Sequence, residues 1–470
     1  MGAVLPLILS LATIPVYLEL ITEARFGVLA IAWLILGYFG LFDLGLGRAT
    51  TQRIAYLGGT PSQETASTFW TALVMNGSLG LLGGAIIWPV ALYIFEEVIL
   101  LDPALQSEMK NAIPWLVLAV PLATISSVLT GALQGHSRFL AVNTIVVTGS
   151  SLAQILPLTV AWLYGPDLAL LLPAVLLSKV VAIAALFYWC YRHVFGGFDL
   201  VISFRLAKNL LGFGGWITLS SIIAPMMAGF DRVVIGATFG AKFVTYYTIP
   251  FQLAEKTTIL ASSLASAIFP RFASANSIEQ RQMSKSAMLL LALFTTPSIL
   301  TAVLFLKPFL TIWIDAEFAE EAAQTGQILL LGFWINGFGH ISFAQIQASG
   351  RPKVTAILHT IELVPYLALL YLGLHQWGLT GAACAFGLRT LTDTLVLAWL
   401  AQSFKQCMKI ILVPSFLIIF GFWVTRFQTD FGNFWIFLNL LLVAITAIVC
   451  WSILPTETKL LIKRYVRKGV

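Results

Sequence analysis

Charged side chains are scarce in this sequence of 470 residues. Asp, Glu, Lys and Arg make up 10% of it and hydrophobic residues 59%, whereas roughly 25% of the residues in a soluble domain are charged. A bilayer can accommodate this apolar excess, because a spanning helix needs about 20 consecutive apolar residues and satisfies its own backbone hydrogen bonds. The composition therefore excludes an ordinary soluble protein and predicts an all-α integral membrane protein.

Cysteines and catalytic motifs are also few. The four cysteines have no CxxC spacing, which favours buried thiols over disulfides or metal ligands. The sequence contains no phosphate-binding glycine loop, no paired His and Glu at metal-binding spacing and no nucleophile elbow. We therefore predict that the protein is not an enzyme and uses no metal or cofactor.

Apolar runs of spanning length recur along the whole chain. The first starts almost at Met1 and carries neither a basic leader nor a small-residue cleavage site, so we predict a span and not a cleaved signal. The runs predict about fourteen transmembrane helices, at 2–20, 26–47, 67–95, 112–134, 139–163, 168–191, 210–237, 243–270, 286–313, 324–348, 353–374, 379–401, 409–426 and 432–454.

Lys and Arg are distributed unevenly between the connections. With the N-terminus inside, 18 of the 27 basic residues fall on the inner side. Because basic connections stay in the cytoplasm, we predict cytoplasmic N- and C-termini in a bacterial inner membrane. The net charge of +6 then reflects these connections facing anionic membrane lipids, and it requires no nucleic acid.

Two short patterns recur six spans apart. Ala24-Arg25-Phe26 is echoed by Ala241-Lys242-Phe243, and Gln134 to Arg138 is echoed by Gln347 to Arg351. Six spans return the chain to the same side of the membrane, as in parallel repeats with a substrate cavity at their interface. Chance recurrence of short Gly and Arg turns is the alternative. The predicted domains are two six-helix bundles, 1–195 and 196–403, and a C-terminal part, 404–470, with two additional helices and a basic tail.

Several motifs resemble those of a known family. The segments Phe26-Gly27-Val28-Leu29-Ala30 and Phe42-Asp43-Leu44-Gly45-Leu46-Gly47-Arg48 are similar to the start of the polysaccharide transporter family, which includes the bacterial O-antigen flippases. That family belongs to the MOP flippase superfamily, together with multidrug exporters and the lipid II flippase. Over about the first 360 residues the further matches are Asp231-Arg232, Ile235-Gly236, Tyr246-Tyr247, Phe269-Pro270-Arg271 and the two Gln…Arg turns.

The resemblance implies a two-bundle, alternating-access flippase. Its substrate would be a polyprenyl-pyrophosphate-linked oligosaccharide moved from the inner to the outer leaflet, for O-antigen, capsule or exopolysaccharide synthesis beside other assembly proteins. One alternative is a membrane polysaccharide polymerase, ligase or glycosyltransferase, although such families usually carry a large outer loop and the longest here, Glu96 to Asn111, has about 16 residues. The other is an organic-cation exporter, whose cavity should be dominated by carboxylates, whereas the spans here hold five acids and five bases.

Ionisable side chains inside spans are functional candidates, because each costs roughly 2.5–3.5 kcal/mol on insertion scales. Lys179 has no acid within one turn of its own helix, so it needs an anion, and a pyrophosphate would serve. Lys256 is expected to approach the same anion from the other bundle. The predicted cationic substrate-binding residues are Lys179, Lys256, Arg232, Arg389 and Arg48. The predicted ion-coupling carboxylates are Asp43, Asp231, Glu255, Glu362 and Asp393.

Structural roles compete with several of these predictions. Arg389 and Asp393 are four residues apart and can pair directly on one helix face. Asp43 and Arg48 lie near the inner end of a span, where an Asp-Leu-Gly turn gives them a structural alternative. Polar side chains within the spans either bond sugar hydroxyls or join helices, among them Asn76 and Gln345.

Overall fold

The structure, a computed structural model, describes residues 4–37, 43–58, 61–208, 229–427, 432–453 and 459. All regular secondary structure in these ranges is helical, and nine helices of the described part are long and apolar enough to cross a membrane. The predicted all-α membrane fold is confirmed. The chain divides into two compact units, Met1–Thr245 and Tyr246–Val470. The predicted domain limits at residues 195 and 403 stay a prediction.

The first unit is built from long helices with polar caps. Ser62 accepts a hydrogen bond from Thr65 N at the start of α3, and Asp167 accepts one from Ala169 N at the start of α6, as expected at helix N-termini. The described helices that begin in this unit are α1 Val4–Gly37, α2 Leu46–Tyr56, α3 Gln63–Tyr93, α4 Pro103–Gly135, α5 Phe139–Tyr164, α6 Leu168–Cys190, α7 229–239 and α8 Ala241–Lys256. The unit limit at Thr245 falls within α8.

Helix α4 is the packing centre of the first unit. It contacts α2, α3 and α6, and small residues allow the close approach. A Cβ on Gly47 of α2 would lie 3.0 Å from the Ser127 carbonyl oxygen of α4, and one on Gly131 would lie 3.0 Å from the Gly47 carbonyl carbon. Substitution by a larger residue at either glycine would therefore separate α2 from α4.

The second unit repeats this pattern. In this unit α11 is the central helix, and α9, α10 and α12 pack on it. In the first unit α2, α3 and α6 pack on α4 in the same way. Equivalent contacts six spans apart are what the predicted parallel repeats require. The described helices are α9 Ile259–Ser274, α10 Ser277–Trp313, α11 Ala316–Ala348, α12 Pro352–Leu400, α13 Phe404–Val424 and α14 Asn433–Ile453.

Several predicted span limits are wrong, because the helices kink or end at single positions that the apolar pattern does not mark. The first two predicted spans have no loop between them: α1 is continuous apart from a kink at Thr22, with φ 71° and ψ 158°. The second span was predicted to run from 26 to 47, yet Leu44 and Gly45 both have positive φ, and a separate helix α2 follows. Residues 38–42 lie outside the described part.

Other limits differ for the same reason. The predicted span 243–270 is two helices, α8 and α9, separated by a turn at 257–258. The predicted spans 353–374 and 379–401 form one element, α12, which kinks at Trp377 and Gly378. Most of the predicted outer loop Glu96 to Asn111 is helical, because α4 begins at Pro103. The predicted span 210–237 falls largely outside the described residues.

Candidate functional site

Lys179 lies on α6 beside a cavity of about 280 Å³ in the first unit. The lining comes from α4, α5 and α6 and includes three hydroxyl side chains, Ser126, Ser150 and Ser178. Gly149 lets α5 approach α6 here, since a Cβ on it would lie 2.9 Å from the Ala182 Cβ. The close α5–α6 packing thus fixes one wall of the cavity.

No carboxylate balances Lys179 in this cavity. The lining residues include no Asp or Glu, and Lys179 forms no ion pair within the part of the chain that the structure describes. An ammonium group in such surroundings is stabilised by an incoming anion more strongly than it would be in water. Serine hydroxyls can donate further hydrogen bonds to phosphate or sugar oxygens.

The second unit holds a mixed-charge cluster, formed by the two halves of α12. His359 and Glu362 lie before the kink at Trp377 and Gly378, and Arg389 and Asp393 lie after it. A Cβ on Gly373 would lie 2.7 Å from the Gly381 carbonyl oxygen, so glycine brings the halves together. His359 Nε2 lies 3.4 Å from Asp393 Oδ1.

Glu362 is the least satisfied acid of this cluster. Both of its carboxylate oxygens are shielded and make no hydrogen bond to the described residues. Asp393, His359 and Arg389 all lie close enough to Glu362 to interact with it electrostatically. His340 on α11 interacts with Asp393 in the same way. The neighbours of Glu362 carry charges of both signs, and none of the described residues donates a hydrogen bond to it. This arrangement suits a carboxylate that exchanges a proton or a cation.

The predicted alternative of a direct Arg389–Asp393 pair is wrong. No ion pair joins them in the described chain, because the Arg389 guanidinium lies over the Tyr366 ring, 5.3 Å from its centroid. For Arg389 a cation–π contact replaces the pair, and Asp393 Oδ1 has no hydrogen bond within the described residues. Sequence reasoning missed His359, although its position three residues before Glu362 places both on one helix face.

Asp43 has a structural environment. Its carboxylate accepts hydrogen bonds from Gly47 N at 3.2 Å and from the amide of Asn76, and it bonds Ser127. It is 8% exposed. Asp43 therefore caps α2 and links α2 to α3 and α4, as the alternative of a structural Asp-Leu-Gly turn predicts.

The remaining predicted site residues lie on three different helices. Arg48 is exposed on α2, and Asp231 on α7 is buried and accepts a hydrogen bond from Arg232 N at 2.8 Å. Glu255 and Lys256 are exposed where α8 ends. Their roles in binding or coupling stay predictions.

Polar residues within the helices join neighbours. Asn76 donates to the Thr124 carbonyl at 2.9 Å, and Gln345 donates to the Ala401 carbonyl at 3.0 Å. Both side chains therefore join helices, which was one of their two predicted roles.

The order of these helices defines a multi-pass α-helical membrane fold that solved structures share. An inward-facing multidrug resistance MATE family transporter of the MOP superfamily matches with a TM-score of 0.69 and 17% identity, over 87% of this chain and 94% of that one. The lipid II flippase MurJ in an inward closed conformation matches with a TM-score of 0.70 and 12% identity, over 96% and 98%. At such identities the likeness shows the fold alone.

Sequence comparison identifies the family. A family profile described as polysaccharide biosynthesis protein matches residues 19–323. A Shigella flexneri protein assigned as an O-antigen transporter is 30% identical over 85% of this chain and 95% of its own length. A low-salt glycan biosynthesis flippase of Haloferax volcanii is 25% identical over 43% of each chain. The chain belongs to the polysaccharide biosynthesis protein family, which confirms the predicted resemblance.

Proposed function

We propose that this protein is a flippase for lipid-linked oligosaccharides. It moves polyprenyl-pyrophosphate-linked sugar units from the inner to the outer leaflet during polysaccharide synthesis. Its similarity to an O-antigen transporter over nearly the whole of that protein supports the substrate class. The observation that carries the mechanism is the cavity at Lys179, which has a cation and hydroxyls in its lining and no acid.

Lys179 supplies the charge that the head group needs. A pyrophosphate cannot enter hydrocarbon unaided, because an unpaired charge there is costly. Beside Lys179 one of its negative charges is balanced, and the serine hydroxyls donate to the remaining oxygens. The polyprenyl tail stays in the lipid while the units alternate access between the two sides.

The orientation belongs to the same proposal. The N- and C-termini face the cytoplasm of a bacterial inner membrane, because most basic residues lie on that side. A reporter fused after Val470 should then be cytoplasmic, and one inserted near Asp102 should be external. Both reporters on one side would contradict this topology. Other polysaccharide assembly proteins would deliver and consume the substrate.

The two alternatives have weaker support. A polymerase, ligase or glycosyltransferase would be expected to carry a large outer loop, whereas only 99–102 separate the helical segment after α3 from α4. An exporter of organic cations would be favoured by carboxylates, which the Lys179 lining lacks. We therefore propose transport without catalysis.

Reconstituted protein tests this function. Proteoliposomes loaded with a pyrophosphate-linked oligosaccharide should expose the sugar on the opposite leaflet faster than protein-free vesicles, with its chemical structure unchanged. Movement of an organic cation without sugar movement would contradict the flippase and favour the exporter. A longer or transferred glycan would instead identify an enzyme.

A further inference from the structure

A second cationic pocket lies at one end of the first unit. It is a hollow of about 470 Å³ between the C-terminal ends of α4 and α6 and the residues before α3. Arg192 follows Lys179 by thirteen residues, which corresponds to about 20 Å along a helix, so this hollow is separate from the Lys179 cavity. We call it the inner basic pocket; it is lined by Pro61, His136, Ser137, Arg138, Arg192 and His193.

Positive charge converges in the inner basic pocket. Arg138 Nη2 lies 3.5 Å from His193 Nδ1. Desolvation and the positive charges of Arg138 and Arg192 lower the pKa of this imidazole. The lining includes no Asp or Glu, and neither arginine forms an ion pair in the described chain. Arg53 differs, since it is paired with Glu64. Two guanidinium groups in one hollow make a site for a phosphate, which they can bind with two parallel hydrogen bonds.

Backbone hydrogen bonds and ring packing hold the frame of the pocket. Ser137 has a φ of 58°, and the backbone N–H of Arg138 donates to the Leu133 carbonyl at 2.9 Å, which fixes the turn between α4 and α5. On the α6 side, Phe195 stacks on Phe69 with ring centroids 4.6 Å apart. Among the described residues no side chain caps the first turn of α5, which begins at Phe139, and the amide groups of an uncapped helix start favour an anion.

The residues that flank the pocket in sequence have the composition of a membrane interface. Phe139 and Leu140 are 55% and 82% exposed, and Tyr188 and Tyr191 are 57% and 56% exposed. Exposed aromatic rings beside basic groups are typical of the level of lipid head groups, and basic pockets between helices on the cytoplasmic side bind phosphate head groups. We propose that the inner basic pocket binds the phosphate of a lipid head group in the inner leaflet.

This phosphate has two possible sources. It belongs either to a resident anionic phospholipid or to the pyrophosphate of the substrate before translocation, and the second source rests on the proposed function. Arg138 and Arg192 also count toward orientation, as any basic residue of an inner connection does. Arg205 and Lys208, exposed on the same connection as Arg192 but absent from the lining, provide a control with the same loss of charge.

Binding measurements on two double variants test the proposal. Arg138→Gln with Arg192→Gln should bind head-group phosphate about tenfold or more weakly than wild type, whereas Arg205→Gln with Lys208→Gln should bind as wild type. The probes are phosphatidylglycerol against phosphatidylcholine retained in native mass spectrometry, and farnesyl pyrophosphate titrated against tryptophan fluorescence. Trp189 reports locally, since its ring centroid is 5.2 Å from that of His193.

The two probes separate the sources. Selective loss of phosphatidylglycerol assigns the pocket to a resident lipid, and selective loss of farnesyl pyrophosphate assigns it to the substrate. Equal binding by both double variants, whether retained or weakened, would overturn the proposal. Replacement of both arginines by Lys, which keeps the charge, should restore part of the binding and distinguishes lost recognition from misfolding. Because no transport is measured, failure of the flippase function would not affect this result.

Discussion

At the residue scale, the acids within the helices have two kinds of environment. The Asp43 carboxylate is bonded by the Gly47 backbone and the Asn76 amide, so its partners stabilise the charged form. Both oxygens of Glu362 lack a hydrogen bond to the described residues. A fully bonded acid holds helices together, whereas a shielded and unbonded one can exchange a proton during transport.

Replacement of Asp43 separates a structural from a coupling role. Asp43→Ala should lower the free energy of unfolding by about 1 kcal/mol or more, because α2 loses its cap. Asp43→Asn should keep most of the stability and of the sugar transport, since one amide oxygen can still accept from Gly47 N. Thermal unfolding in detergent and flux per inserted protein are the measurements. A stable Asp43→Asn variant without flux would instead make Asp43 a proton carrier.

Glu362 gives the corresponding test for coupling. Glu362→Gln should abolish the part of sugar flux that an imposed pH gradient drives, because the amide cannot be protonated and released in each cycle. Sugar binding should remain. Glu320→Gln is the control, since this exposed acid pairs with Lys307 outside the mixed-charge cluster. Undiminished gradient-driven flux in Glu362→Gln would exclude this carboxylate as the coupling group.

At the element scale, contacts through small residues set how the helices pack. A Cβ on Gly80 of α3 would lie 2.6 Å from the Pro121 Cα of α4. One turn earlier on the same helix, a Cβ on Gly77 would meet nothing within 4 Å. Because helices in a bilayer associate through close packing, α3 and α4 depend on Gly80 and not on Gly77.

This pair of glycines provides a matched prediction. Gly80→Ala should lower the free energy of unfolding by about 1–3 kcal/mol through overpacking. Gly77→Ala should be neutral or slightly stabilising, because alanine favours the helix. The measurement is thermal unfolding of both variants in the same detergent. Equal unfolding temperatures would contradict the α3–α4 contact.

The elements themselves could be predicted from hydropathy, but their breaks could not. Twenty apolar residues in a row identify a span whatever the neighbours are, and so α3 to α6 were found. The kink at Thr22 and the turn at 257–258 lie inside or beside apolar sequence without proline or glycine. Such breaks depend on packing against other helices, which one sequence does not contain.

At the scale of the whole molecule, family motifs predicted the function and charge cost predicted candidate residues. Lys179 stood out because no acid lies within one turn of it, and the structure adds that no acid of the described chain lines its cavity. The sequence predicted that Lys179 and Lys256 play equivalent roles. It could not show that Lys256 is exposed, because this depends on where α8 ends. His359 was overlooked, since its value depends on a carboxylate beyond the kink in α12.

The central claim is that the charge of Lys179 lets the pyrophosphate cross. Lys179→Ala should insert normally, because no lining carboxylate is left without its partner, and yet stop translocation. Lys179→Arg should retain part of the activity by keeping the charge. Leu177→Ala, on an exposed neighbour outside the cavity lining, should transport as wild type.

The most direct measurement is lipid-linked oligosaccharide appearing on the outer leaflet, normalised to the amount of inserted protein. We expect background levels for Lys179→Ala, an intermediate level for Lys179→Arg and full activity for Leu177→Ala. Full normalised activity in a well-inserted variant that combines Lys179→Ala with Lys256→Ala would contradict the cationic-cavity mechanism.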